Sequence, residues 1–290
     1  MSSPINLSTL FSLSDRVALV SGAGSGIGSY IAHGLAQAGM TRVYITGRRL
    51  EALQATATYA PSIIVPIQGD ISTRAGCLAI RTAFEDAEHA RGVEGELALD
   101  LLVNNAGMIC NDARWEADAG AEAVSAKLLE ATDEDWARGF ATNTASLQWM
   151  PAAFLPHLVR ASRTAHGLLS DRGTIINNTS VSALYASRAS QVHLYAATKA
   201  AAESLTRNLA SKFTPLGVRV NSLAVASIPS EMNDPRNPEH FISKAKGAVP
   251  VGRVGREEDA VAAVVYLASR AGSFVSGATL KIDGGILVGA

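Results

Sequence analysis

Tyr195 and Lys199 are the residues whose types and spacing most directly suggest proton chemistry. Four positions apart, they share one face of a helix if the segment is helical. A phenol near its reference pKa of about 10 is a poor base at neutral pH. An ammonium beside it favours the phenolate and brings proton transfer within reach. The same spacing occurs on many helices that catalyse nothing, so its meaning depends on the rest of the chain.

A second group lies near the start. Ser21-Gly22-Ala23-Gly24-Ser25-Gly26-Ile27-Gly28 follows the β-branched run Val17–Ser21. It opens a helical pattern marked by Ile27, Ile31 and Leu35 that runs to about Gly39. Glycine here allows positive φ, close approach of backbone to pyrophosphate, and tight packing of helix on strand. Free N–H groups and the positive dipole end of the helix suit phosphates. A Gly-rich turn alone is weak evidence; between a strand and a helix it predicts a dinucleotide cradle.

The elements that must position these groups are legible as apolar runs: Val17–Ser21, Val43–Thr46, Ile63–Ile67, Leu99–Asn104, Thr174–Asn178, Val218–Leu223 and Thr279–Ile282. Helical periodicity fills the intervals, as at Ala200, Leu205 and Leu209. Strands alternating with helices imply βαβ crossovers. The expected fold is α/β: a single doubly wound Rossmann-type domain over 15–290, with a mostly parallel seven-stranded sheet, after an N-terminal extension 1–14. Two insertions stand out. Met108–Ala131 is Ala-rich and should hold a short helix at the rim of the sheet. Residues 227–247, with Pro229, Pro235 and Pro238, read as a substrate loop of the kind that covers a site.

Composition narrows the partners. The 290 residues carry 25 basic and 26 acidic side chains, a balance that gives no reason to expect nucleic acid or an anionic membrane. Two cysteines and six histidines without HxxxH or HxH spacing predict neither a disulfide framework nor a metal site. Residues 1–15 lack a basic n-region, and no window approaches 18 apolar residues, so neither a signal peptide nor a spanning helix is expected. A cytoplasmic enzyme is the expectation.

The glycine spacing, G-x3-G-x-G over Gly22, Gly26 and Gly28, resembles the short-chain dehydrogenase/reductase family. Asn104-Asn105-Ala106-Gly107 is similar to its NNAG motif, Asn143 falls where the family has a catalytic asparagine, and Tyr195–Lys199 fits its YxxxK. The resemblance spans about Asp15 to Gly285. It implies that Tyr195 gives a proton to a carbonyl oxygen as hydride arrives from nicotinamide C4. By the same resemblance Lys199 also holds the cofactor ribose, and Asn143 holds a water that links Lys199 to solvent. A serine after the fifth strand would fix the substrate oxygen. Ser180 fits by motif and Ser182 by its separation from Tyr195; Ser180 is the preferred of the two. His193 is expected to wall the pocket. The resemblance also implies a homotetramer.

For the cofactor, strand 2 ends Thr46-Gly47-Arg48-Arg49 without a carboxylate to bind a ribose 2′-OH. Arg48 offers a planar fork for a 2′-phosphate, which favours NADP(H). The cradle is expected from Gly22, Ser25, Gly26, Ile27 and Gly28, with Asn105, Tyr195 and Lys199 completing the site. The resemblance places Asp70 and Ile71 at the adenine and Ser230 at the carboxamide. Where the family has Pro-Gly after strand 6, this chain has Val225-Ala226, so either the turn is reshaped or the nicotinamide sits differently.

The sequence therefore points to an NADPH-dependent ketoreductase, or the reverse alcohol dehydrogenase, acting on a small carbonyl or alcohol, thioester-linked ones included. Within the family, Arg219-Val220-Asn221, the Ile228–Met232 loop and Ile282–Gly285 most resemble 3-oxoacyl-thioester reductases, the rhamnolipid-pathway type among them. A secondary-metabolite ketone fits equally. The altered turn keeps a second class open: an NADP(H)-binding protein with a non-redox role such as cyclase or sensor.

Overall fold

Each of the seven β-branched runs forms a strand, and in the five inner strands the residues are buried on both faces, as suits the interior of a parallel sheet. The computed structural model describes residues 5–116, 118–163, 171–186, 192–234, 236, 242–243 and 249–289. Its strands are β1 (Val17–Ser21), β2 (Arg42–Gly47), β3 (Ile64–Gln68), β4 (Leu101–Asn104), β5 (Thr174–Asn178), β6 (Arg219–Val225) and β7 (Thr279–Ile282). They form one sheet in the order β3-β2-β1-β4-β5-β6-β7. Every pairing is parallel; Leu19, for example, stands opposite Tyr44 on one side and Leu102 on the other.

Strand 4 begins two residues later than its apolar run suggests. Leu99 N–H donates to the His157 carbonyl at 3.2 Å, and Asp100 turns its carboxylate onto Val17 N–H at 2.7 Å. Leu99 is thereby drawn toward the helical side, while the Asp100 main chain still bonds both neighbours, its N–H to the Val17 carbonyl and its carbonyl to Thr174 N–H, each at 2.9 Å.

The helices are α1 (Leu7–Leu10), α2 (Gly26–Gln37), α3 (Leu50–Ala57), α4 (Arg74–His89), α5 (Ala121–Leu128), α6 (Asp133–Phe140), α7 (Ser146–Ser162), α8 (His193–Phe213), α9 (Glu257–Ala268) and α10 (Ile286–Gly289). Two cores cover the two sheet faces. One buries Ile31, Leu35, Leu53 and Val264 from α2, α3 and α9 against Val20, Ile45 and Val103. The other buries Ile80, Phe84, Phe154 and Leu209 from α4, α7 and α8 against Leu19, Tyr44 and Ile175. The short helix expected within 108–131 is α5. Leu13, inside the expected N-terminal extension, is fully buried in the first core.

The strand order reverses between β1 and β4. At such a switch point the loops after neighbouring strands diverge and leave a crevice at the carboxyl ends of the strands. The Gly-rich turn follows β1 and Asn105 follows β4, so both enter this crevice.

Candidate active site

The Gly-rich turn is shaped by contacts that exclude larger residues. Gly22 has φ +65°, and a Cβ there would lie 2.6 Å from Ala106 Cα. Gly26 has φ +55°, and its missing Cβ would meet Ser230 Cβ at 2.7 Å. Gly28 is buried, and a Cβ would stand 2.3 Å from the Gly22 carbonyl oxygen. Gly28 is thus held by tight packing against the turn itself. Asn105 braces the turn: its Nδ2 donates to the carbonyls of Ser21 and Gly22, both at 3.1 Å. Its Oδ1 accepts from Asn178 Nδ2 at 2.8 Å. Ser25, the residue before α2, makes no capping bond to the helix, so the first-turn N–H groups are not satisfied by that side chain. Such a helix end suits an anion, and the turn fits the diphosphate of a dinucleotide.

One cavity of about 1590 Å³ runs from this turn to Tyr195. Ser25, Ile27, Arg48, Asp70, Ile71, Asn105 and Ser230 line it together with Ser180, Tyr195 and Lys199. Arg48 is exposed, and its carbonyl accepts from Gln68 Nε2 at 2.8 Å. Arg49 instead reaches across to Glu231, at 2.7 Å, beside Ser25 Oγ at 3.4 Å. That guanidinium holds the Glu231 carboxyl below the usual carboxylate range. Asp70 Oδ1 accepts from Ser72 N–H at 2.9 Å. Ser230 Oγ accepts from Asn233 N–H at 3.0 Å, which ties off the loop after β6.

Helix α8 presents both members of the pair. Lys199 is buried, and its Nζ donates to the Asn178 carbonyl at 3.0 Å and sits 5.7 Å from the centroid of the Tyr195 ring. Burial pulls the ammonium down to about 8, against the opposing effects of Cys110 and Glu203. One turn on, buried Glu203 anchors α8 to three strands' ends through Thr179, Ser222 Oγ (2.9 Å) and Thr279 Oγ1 (2.6 Å).

The Tyr195 phenol is shifted upward rather than downward. Burial is the main cause; a hydrogen bond with the Ser180 side chain opposes it, and Cys110 and Asp112 add to it. The expectation of a lysine-lowered phenol is thus corrected, because desolvation of the phenolate outweighs any help from the neighbouring ammonium. Of the two serines, Ser180 is the one whose side chain bears on the Tyr195 phenol. Ser180 Oγ also accepts from Ser182 N–H at 3.1 Å, opening a 3-10 turn over Val181–Ala183. Ser182 also lines the cavity. Residues 187–191, between these serines and Tyr195, lie outside the described residues.

Asn143 sits in a π-helical turn, Ala141–Ala145, between α6 and α7, a local widening common at functional sites. It is buried behind the cavity wall, not on it. Its Nδ2 donates to Thr198 Oγ1 at 3.1 Å, which couples it to α8. A Cβ on Gly107 would meet Asn143 Oδ1 at 3.3 Å and Lys199 Nζ at 3.4 Å, so the two crowd one point. His193 does not line the cavity; its ring stacks on Trp115 at 5.1 Å.

After β6, Ala226 N–H donates to the Ile282 carbonyl at 3.0 Å, and Ile228 N–H to the Ala226 carbonyl at 2.7 Å. Ala226 is not in the left-handed region, so the turn is made without the conformation that glycine would supply.

Sequence reasoning missed Asp112 and the Arg49–Glu231 pair. A signal for the first existed: Val192, just before α8, offers no capping side chain, so the cap must come from elsewhere.

A doubly wound parallel sheet, a Gly-rich turn at its switch point and a Tyr-Lys-Ser group in the adjoining crevice define a dinucleotide-binding oxidoreductase fold. The chain belongs to the short-chain dehydrogenase/reductase family: the family described as enoyl-(acyl carrier protein) reductase matches residues 22–287. It is 34% identical to the rhamnolipids biosynthesis 3-oxoacyl-[acyl-carrier-protein] reductase of Pseudomonas aeruginosa, over 95% of this chain and 97% of that protein. It is 33% identical to a galactitol 2-dehydrogenase (L-tagatose-forming) of Cereibacter sphaeroides, over 97% of this chain and 98% of that one. In structure it resembles the Pseudomonas aeruginosa RhlG/NADP active-site complex, with TM-score 0.80, 31% identity, and coverage of 97% of this chain and 99% of that one.

Proposed function

We propose that this protein is an NADP(H)-dependent ketoreductase, or the reverse alcohol dehydrogenase, acting on a small carbonyl or alcohol, thioester-linked ones included. The observation that carries it is that Ser180, Tyr195 and Lys199 all line the cavity that begins at the Gly-rich turn, with Lys199 Nζ 5.7 Å from the centroid of the Tyr195 ring.

Bound there, a nicotinamide supplies or accepts hydride at C4. The chain does the rest. Ser180 Oγ orients the substrate oxygen, and Tyr195 donates its proton to that oxygen in the reduction. Because burial keeps Tyr195 a phenol, it is charged with its proton at neutral pH. Lys199 holds the ribose and favours the phenolate left behind. Asn143 fixes the segment around Gly107 against Lys199 and supports the water path to solvent. Arg48, unopposed by any carboxylate at the end of β2, holds the 2′-phosphate. Ile71 and Asp70 border the adenine, and Ser230 reaches the carboxamide. Residues 15–290 form the catalytic domain, with the segment 227–247 over the substrate. The resemblance supports a cytoplasmic homotetramer serving secondary metabolism, and sedimentation of the purified protein tests the assembly.

The test follows NADPH absorbance with a panel of ketones, acetoacetyl thioesters and keto-sugars included. Turnover that vanishes in Tyr195→Phe supports the reading. Cofactor binding with no oxidation across the panel would favour a non-redox role, the class that the reshaped turn at Val225-Ala226 keeps in view. Among the described residues no group of His, Cys, Asp or Glu could hold a metal ion, and no helix is long and apolar enough to cross a membrane.

A further inference from the structure

We infer that Asp112 is a positioning residue for proton transfer: from the segment after β4 it caps the helix that carries Tyr195 and Lys199, and it sets a carboxylate with one unpartnered oxygen at the helix end from which the phenol projects. This rests on the role proposed above for Tyr195.

Helix α8 starts at His193 without a cap of its own, since Val192 makes no side-chain bond to the first turn. Unsatisfied first-turn N–H groups are costly when buried. Asp112 comes from 82 residues away to fill the gap: its Oδ1 accepts from Leu194 N–H at 2.6 Å and from Tyr195 N–H at 3.4 Å. One of the two amides held is thus that of Tyr195 itself. The negative charge also suits the positive end of the helix.

Capping alone does not need a carboxylate, because asparagine or serine does it as well. A carboxylate here carries a cost, for its second oxygen, Oδ2, is shielded from solvent and has no hydrogen-bond partner among the described residues. Burial accordingly pushes the Asp112 carboxyl up, opposed by the two backbone bonds and by His193 and Arg114. What the charge adds is an effect on the phenol. Tyr195 is faced by Ser180 on its hydroxyl, by Cys110 and Asp112 from the segment after β4, and by Lys199 one turn along its own helix. The Cys110 thiol is itself pushed up to about 11 by burial. A negative charge on Asp112 disfavours the phenolate.

Two substitutions separate the cap from the charge. Asp112→Asn keeps an oxygen for Leu194 and Tyr195, whereas Asp112→Ala removes both functions. Three measurements apply: NADPH affinity by fluorescence, kcat on the best ketone of the panel, and the near-ultraviolet tyrosinate titration with Tyr195→Phe as blank, over the range in which circular dichroism shows a folded chain. In Asp112→Asn the Tyr195 titration should begin roughly one pH unit lower, with kcat within about threefold of the parent. Asp112→Ala should lose about tenfold or more in kcat while NADPH affinity stays within about twofold. The inference is overturned if Asp112→Asn titrates as the parent does, or if Asp112→Ala keeps its kcat. The titration and the NADPH affinity need no turnover. A shifted titration alongside full activity in Tyr195→Phe therefore sinks the proposed catalytic role and leaves the electrostatic one.

Discussion

The side chain of Asn143 and the main chain of Met108 form a closed pair: Asn143 Oδ1 accepts from Met108 N–H at 2.8 Å, and Asn143 Nδ2 donates to the Met108 carbonyl at 3.0 Å. The main-chain N–H and carbonyl of one residue after β4 are thereby both satisfied by a single side-chain amide, which carries a donor and an acceptor side by side. Asn143 is buried and Met108 half-buried, so breaking the pair leaves the polar atoms of the buried Asn143 amide unmatched. Asn143→Asp cannot donate to the carbonyl and Asn143→Ala can do neither. Each should lower the denaturation free energy by about 1–3 kcal/mol, measured by urea titration. Activity should fall further than stability does, because Gly107 and Lys199 are held by the same contact.

Ser180 and Ser182 lie on one short turn but differ in what they touch. Ser180→Ala removes the hydroxyl that bears on the Tyr195 phenol and should cost on the order of 10²-fold in kcat. Ser182→Ala should stay within about threefold, since Ser182 enters the Ser180 contact only through its backbone N–H. Steady-state rates of the two variants on one substrate decide it. Equal losses would mean that the serine closer in sequence to Tyr195 takes part.

The two arginines after β2 divide their work. Arg48→Asp places a carboxylate where a 2′-phosphate would sit and should raise KM for NADPH by roughly 10- to 100-fold while improving NADH. Arg49→Ala should change KM for NADPH by only about threefold, because that guanidinium is already engaged with Glu231 in an exposed pair. The Arg49–Glu231 contact is screened by salt. Its share of the cofactor affinity should therefore disappear in concentrated sodium chloride, read by comparing parent and Glu231→Gln.

His157 gives the stability of the chain a pH dependence. Burial against Phe84 and Phe154 lowers its pKa below the usual 6.5, although Glu85 pulls the other way from 3.1 Å. The folded state therefore binds fewer protons here than the unfolded chain. Its stabilising share is complete above about pH 6.5 and is lost as the pH falls through the folded-state value. Urea midpoints should drop on acidification through this window, and less steeply in His157→Phe. An unchanged slope in that variant would assign the effect elsewhere.

Most of the architecture and the outline of the site were legible in the residues. Strand positions followed from β-branched runs such as Val17–Ser21 and Thr174–Asn178, which reappear as β1 and β5 without a change of boundary. The pair Tyr195 and Lys199 could be placed on one helical face because a helix relates residues four apart through its own geometry. Gly22 and Gly26 could be read for the same reason: positive φ is a demand made within one residue. Leu99 was less readable, since whether it joins β4 depends on a carbonyl of α7.

What the sequence determined alone is thus the local content of the protein: alternating strands and helices, a turn only glycine can make, and a phenol and an amine on one helical face. The tertiary structure decided which serine bears on Tyr195, that Asn143 stands behind the wall, that Arg49 is engaged by Glu231 182 positions away, and that Asp112 caps α8. The physical difference is one of range. Backbone preference and periodicity act between neighbours, whereas a cap or an ion pair between distant segments exists only where packing sets two crossover loops side by side.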